Sequence, residues 1–362
     1  NKMISDAPVG LFLSGGIDSS VIAASANELG FKNLKSYTFS WPGNDEYDET
    51  LGARLVAEKF QLDPVFVSLD FDSAEITRRL DRILSSHSQP FINPTVILTD
   101  ILSERAAKDV KAVLVGDGGD EIFCGYPRYK ATGIVGKYSA LARLGFPILK
   151  AWLAFNRSES PASNHRRRRI RKFVEAGFLP HKAFDHYTTL YPKEALLREC
   201  NGRPIDFEFL CSSFNYEGSF LRSCQACDME SFLPFNLLDG ADRASMLNSL
   251  EIRLPFLSEE LYALSLRLPD SALITATRQK EILTAAFFDS LPKEVSMAKK
   301  RGFNPPVWHW LKNNPSLLDP LREKDNYVSQ YVCSDYLKIK LDRFDSERED
   351  SSMMLWGALV VN

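Results

Sequence analysis

The sequence predicts an α/β fold: a parallel sheet with helices on both faces, followed by a mainly helical C-terminal half. Three observations carry this expectation. Apolar runs of strand length alternate with longer helix-periodic segments over residues 1–130. The first of these runs leads through a glycine turn into a helix. Beyond Lys130 strand signals fade, and helical patterns punctuated by Pro147, Pro161, Pro180, Pro192 and Pro234 take over residues 131–362.

Val9 to Leu13 (VGLFL) reads as a short buried strand, SGGIDSS as the turn, and the periodic stretch Val21 to Leu29 as the first helix. The pattern then recurs. Lys35 to Ser40 (KSYTFS) precedes a helical DETLGARLVAEKF, and Pro64 to Leu69 (PVFVSL) precedes an amphipathic run ending at His87. A helical Val96 to Lys108 leads into Lys111 to Val115 (KAVLV).

With 362 residues, 44% hydrophobic and 25% charged, the chain has the composition of a globular protein, which excludes disorder, collagen and coiled coil. Lys and Arg (44) nearly balance Asp and Glu (47), leaving a net charge of -3, and no nucleic-acid partner is expected. The apolar tract Ile134 to Phe155 is broken by Lys137, Arg143 and Lys150, so no membrane span is expected either. Six cysteines at irregular spacing, with no leader, suit a reducing compartment, and the cytoplasm is the expected location. The opening NKMISDAPV lacks an initial Met and reads as a cut from a longer polypeptide. The basic run His165 to Lys172 (HRRRRIRK) reads as a solvated face, with an anion or partner site as the alternative.

In an open α/β sheet, ligands bind outside the carboxyl ends of the strands. The first strand delivers Ser14, Gly15, Gly16 and Asp18 there, the second Phe39 and Ser40, and the fourth Gly116, Asp117, Gly118, Gly119, Asp120 and Glu121. Gly15 and Gly16 remove side chains that would block close approach. Ser14, Ser19 and Ser20 add hydroxyls, and the helix behind them favours an anion, so the turn reads as a phosphate cradle. It is not a Walker loop, because no GxxxxGK[ST] occurs. Asp18 inside this cradle, with Asp117, Asp120 and Glu121 opposite, would repel phosphate. Two unit charges about 4 Å apart cost roughly 4 kcal/mol at an effective dielectric of 20, so a bridging cation is expected. Magnesium fits, since it takes one or two carboxylates together with phosphate oxygens and water. A capped tight turn and an acidic surface turn are the structural alternatives for the two loops.

Four segments carry a resemblance. VGLFLSGGIDSS resembles the pyrophosphate-binding loop of the asparagine synthetase family, and GDGGDEIFCGYPRY and DRASMLNSLEIRLPFL resemble that family's second and third signatures. KKRGFNPP resembles a fourth segment, and the matches run in order along nearly the whole chain. The resemblance implies an adenine nucleotide α-hydrolase-like fold and one synthetase domain over residues 1–362. Residues 1–130 would bind nucleotide and 131–362 would complete the active site, with the family's glutaminase domain, its nucleophilic cysteine included, absent. It also implies chemistry: a carboxylate, usually the side chain of aspartate, attacks the α-phosphorus of ATP, and ammonia then displaces AMP to leave asparagine. Aspartate and ammonia would be the small-molecule partners and the glutaminase domain of the full-length chain the protein partner; a homodimer is left open.

By this resemblance Ser14, Gly15, Gly16, Asp18, Ser19 and Ser20 would hold ATP phosphates, and Leu13, Phe39, Ser40 and Gly116 would line the nucleoside. Asp18 and Asp120 would carry magnesium. Asp117 and Glu251 would position the nucleophile or take a proton from the amine, and Lys280 and Lys300 would stabilise charge in both transition states. Asn93 stands where the family often has Asp, Gly240 where Lys is frequent, and Asp63-Pro64 replaces a typical His. These departures leave room for another carboxylate acceptor, such as a sugar acid, a peptide or a secondary metabolite. A catalytically silent nucleotide-binding scaffold is the further alternative.

Other features are read as structural. Cys224 and Cys227 form a CxxC without a second pair, and Cys200 and Cys211 stand alone. Trp308, His309 and Trp310 read as core. His87, His186 and His309 have no paired nucleophile, and the apolar Met353 to Val361 reads as a helix docked on the core.

Overall fold

A computed structural model describes residues 2–41, 48–69, 72–87, 91–131, 219–275, 277–298, 305–330 and 332–362. Five parallel strands lie in the order β3-β2-β1-β4-β5, with β1 Val9–Phe12, β2 Lys35–Ser40, β3 Asp63–Ser68, β4 Ala112–Leu114 and β5 Glu251–Arg253. Every residue of β1 and β4 is buried, as expected of central strands covered on both faces.

Between the strands run α1 Ile17–Glu28, α2 Thr50–Phe60, α3 Ser73–Ser86, α4 Thr95–Ala106 and the single turn α5 Gly119–Ile122. In α3 the apolar Ile76, Leu80 and Ile83 form one buried stripe, and the Asp72 carboxylate caps the helix by accepting from the Glu75 N–H at 2.8 Å. The chain steps outward from β1 to β2 and β3, then returns to add β4 on the other side of β1. With right-handed crossovers that return puts α1 and α2 on one face of the sheet and α3 and α4 on the other. The order therefore reverses between β1 and β4, where the two glycine-rich loops emerge.

β5 lies in a stretch that reads as helical in sequence. Three residues are too few to show a period, and the strand exists because the Glu251 N–H donates to the Lys111 carbonyl at 3.0 Å and the Val115 N–H to that of Arg253 at 3.0 Å. The third signature sets this register. Asn248 donates to the Asp100 carboxylate at 2.8 Å and to the Ala244 carbonyl at 3.0 Å, tying the helix Asp239–Met246 to α4 just before β5. Fully buried Asp100 also receives Arg79 at 2.5 Å and Arg82 at 3.0 Å from α3. Buried charge is thus met by charge, as the cost of desolvation requires.

The chain forms two compact units, Asn1–Tyr126 with Phe232–Pro306, and Pro127–Ser231 with Val307–Asn362. Residues 232–306, which read as part of the helical half, thus belong with the sheet. In the second unit the C-terminal helix Ser352–Val361 buries Met354, Leu355, Trp356 and Val360, with Trp356 ring to ring against Trp310 at 6.0 Å. The docked helix and the core position of Trp310 match expectation, whereas Trp308 and His309, read as core as well, are only half-buried. An eleven-residue π-helix, Asp228–Leu238, carries the chain from one unit into the other.

Among the described residues no helix is long and apolar enough to cross a membrane. The tract 134–155, the basic run 165–172 and His186, Cys200 and Cys211 lie outside them. Cys224 and Cys227 are buried and form no disulfide, and no group of three or more His, Cys, Asp or Glu among the described residues is placed to hold a metal.

Candidate functional site

Gly15 begins the loop after β1 in the left-handed region (φ +65), and a Cβ there would stand 2.7 Å from the Ala53 nitrogen and 2.8 Å from the Gly52 carbonyl carbon. Only glycine lets this turn press against the start of α2. The loop braces itself: the Ser14 N–H donates to Ser19 Oγ at 3.2 Å, and the Gly16 N–H to Ser14 Oγ at 3.3 Å. Ser20 is wholly buried and its hydroxyl donates to the Gly16 carbonyl at 2.7 Å, so the structure uses it to hold the loop. Leu13 and Phe39 are each 1% exposed, and their side chains sit in the core. What they offer a ligand is backbone and position. Ser40 is half-buried at the end of β2.

The second loop packs directly onto the first. A Cβ on Gly116 would lie 3.0 Å from the Asp18 Cβ and 3.1 Å from the Ser19 nitrogen, and one on Gly119 would lie 2.8 Å from Asp18 Oδ1. Gly118 has φ +88, and a Cβ there would strike the Leu257 side chain. These glycines let the two turns touch, a demand beyond the ligand approach for which the sequence recommends them.

Asp18 and Asp120 meet at a cation. Lys280, 3% exposed, directs its Nζ to both oxygens of Asp18 and to Asp120 Oδ1 at 2.5 Å. Lys280 is held in the left-handed region (φ 51) at the N-terminus of the helix Glu281–Phe287, an uncommon conformation for a side-chain-bearing residue. Next to it the Gln279 amide donates to the Gly125 carbonyl at 3.1 Å, and the Gly125 N–H donates to the Asp120 carbonyl at 2.8 Å. A Cβ on Gly125 would land on Asp120 Oδ1 and on the Lys280 stem. Burial by itself pushes the Lys280 pKa down, but the Asp18 and Asp120 carboxylates outweigh it and hold the ammonium above its ordinary value.

The remaining predicted residues fall in different places. Asp117 is half-buried in the turn before α5, beside the cluster in sequence. Glu121 is fully buried on α5 and accepts from the Tyr126 hydroxyl at 2.7 Å, so this third acid braces its own loop. Glu251 pairs with Ala112 at the amino end of β5, away from the end where the glycine loops emerge. Its carboxylate is gripped by the Arg253 guanidinium at 3.0 Å through both oxygens, which holds it below the usual carboxylate range. Lys300 lies outside the described residues.

The two carboxylates predicted to carry magnesium thus converge on a single cationic point. Two carboxylates, with phosphate oxygens and water completing the shell, are a donor set that magnesium accepts, so the residues fit that ion. Sequence reasoning missed Gly125 and Gln279, and glycine in a GYPRY context was the only signal that could have pointed to the first.

Asn93 and Gly240 lie at the starts of α4 and of the helix Asp239–Met246. Asn93 Nδ2 donates to the Asn236 carbonyl at 2.9 Å. Any Cβ on Gly240 would fall into the ring of Phe91, which stacks on His87 at a centroid distance of 4.9 Å.

A family model described as asparagine synthase matches residues 1–362. Asparagine synthetase [glutamine-hydrolyzing] 1 of Bacillus subtilis (strain 168) is 28% identical over 99% of this chain and 56% of its own length. Asparagine synthetase [glutamine-hydrolyzing] 3 of the same organism is 26% identical over 83% of this chain and 45% of its own length. A Penicillium rubens protein named amidase chyE is 26% identical over 85% of this chain and 51% of its own length. The chain spans about half the length of these relatives.

Proposed function

The chain belongs to the asparagine synthase family, and on that premise we propose that it forms an amide in two ATP-dependent steps, with the side chain of aspartate as acceptor and asparagine as product. The observation that carries this reading is the convergence of Asp18, Asp120 and Lys280 where the strand order reverses. In the first step a carboxylate oxygen bonds to the α-phosphorus of ATP and pyrophosphate leaves. In the second, ammonia bonds to the acyl carbon, AMP leaves, and one proton of the amine is lost.

In this scheme the Ser14–Ser19 turn would bind the triphosphate, and Asp18 and Asp120 would hold magnesium, which would neutralise charge at the phosphates. Lys280 and Lys300 supply fixed positive charge where negative charge develops. The proton from the amine is assigned to Asp117 and not to Glu251. A carboxylate held ionised by Arg253 is a weak base, and its register places it at the far end of β5. A glutaminase domain in the full-length chain would deliver the ammonia. A cytoplasmic setting is part of the same proposal, supported by Cys124, Cys224, Cys227 and Cys333, none of which forms a disulfide.

A second reading keeps the chemistry and changes the acceptor. The packing of Phe91 against Gly240 favours it, since a side chain at this position, where the family frequently has Lys, would have to displace the Phe91 ring. The similarity to a protein named amidase chyE lends it weak support.

Exchange of labelled pyrophosphate into ATP separates these readings. Exchange that requires aspartate is the expected result. Exchange with other carboxylates alone would favour the second reading, and tight ATP binding without exchange for any carboxylate would leave a silent nucleotide-binding module.

A further inference from the structure

Lys280 occupies the point between Asp18 and Asp120 that the proposed function gives to a divalent cation. The three groups together carry one net negative charge. One ammonium stands against two carboxylates, the lysine is nearly sealed from water, and both oxygens of Asp18 are engaged by it. A divalent ion that took the same oxygens would stand within a few ångströms of the Nζ, in surroundings too dry to screen the repulsion. Metal and lysine therefore exclude one another unless a further anion arrives to accept the lysine.

We infer that Lys280 is an internal counter-ion that holds the place of the metal between Asp18 and Asp120, so that the divalent cation binds only together with the nucleotide. The inference rests on the proposed ATP chemistry. A triphosphate in the Ser14–Ser19 turn brings several negative charges at once, enough to draw the Nζ off the carboxylates and to share the metal with them. The local geometry suits a side chain that moves while its backbone stays. Lys280 is pinned at a helix N-terminus next to Gln279, whose amide holds the Gly125 carbonyl. Gly125 itself keeps a Cβ out of the space around the lysine stem. The four-carbon stem can then re-aim its ammonium without unfolding anything.

The test titrates Mn2+, followed by its paramagnetic resonance signal, into the wild-type chain with and without an α,β-methylene analogue of ATP. The expected result is binding at least about tenfold tighter with the analogue, a coupling within the usual range for two linked ligands. In Lys280→Gln, Mn2+ alone should bind about tenfold tighter than to wild type, with the dependence on nucleotide largely lost. Equal Mn2+ affinity in wild type with and without the analogue would overturn the inference while leaving the metal site standing. Unchanged affinity of folded Lys280→Gln for Mn2+ alone would overturn it as well. No Mn2+ binding even with the analogue bound would remove the metal site itself and the inference with it. The wild-type comparison needs no variant, so a Lys280→Gln chain that failed to fold would not shield the idea.

Discussion

Asp18, Asp120 and Lys280 form a triad in which one ammonium is shared by two carboxylates, and single substitutions in and around it should divide into two kinds. Asp18→Ala and Asp120→Ala each leave Lys280 with one carboxylate partner, so both variants are expected to fold while losing magnesium-dependent turnover. Far-ultraviolet circular dichroism and AMP release check the two halves of that statement, and near-normal rates in either variant would refute the metal assignment. Gly125→Ala should behave differently. Its Cβ meets Asp120 Oδ1 and the lysine stem, so overpacking by roughly 1 to 3 kcal/mol is expected, read as a lower urea midpoint together with weakened nucleotide binding. The carboxylates were legible in the sequence because bare acids beside a phosphate turn demand a cation. Gly125 was not, because the need for a missing side chain exists only once two distant segments are brought together.

At the scale of elements, the third signature works largely as a clamp. Asn248 and Asp100 join the helix Asp239–Met246 to α4, and Arg79 and Arg82 bring α3 to the same carboxylate. Removing the charge in Asp100→Asn takes one carboxylate from Arg79, which keeps Glu75 and Glu104, and from Arg82, which keeps Asn248 and the Leu247 carbonyl, and should cost about 1.5 to 3 kcal/mol, measured by chemical denaturation. α3 also carries a pH signature. Hydrogen bonding from Arg78, with further help from Arg79, lowers the Glu75 pKa from 4.5 to about 2. A depressed carboxylate contributes stability that is present above its unfolded pKa and is lost as pH falls through the folded one. Stability should therefore decline between about pH 4.5 and 2, and Glu75→Gln should show a shallower decline over that window. The alternating strands and helices of the first 115 residues were readable from hydrophobic period, whereas β5 was not, since a three-residue strand exists only through its ladder to β4.

At the scale of the whole molecule, the chain divides into two compact units, and among the described residues of the second Trp310 and Trp356 meet ring to ring. Trp356→Ala should leave a cavity worth about 3 to 5 kcal/mol in that unit, followed as loss of tryptophan fluorescence change on melting. The order of elements, the parallel sheet and the two glycine loops follow from local sequence, because strand and helix periods and turn chemistry act over a few residues. Family membership is equally a property of the linear sequence. What tertiary structure alone decided is which charges share a space: that Lys280 lies between two acids more than a hundred residues away, that Glu251 turns to Arg253, that Glu121 turns inward, and that Phe91 fills the vacancy at Gly240. The physical reason is that a long-range contact costs chain entropy and is repaid only when the surrounding core forms, so no local pattern in the sequence records it.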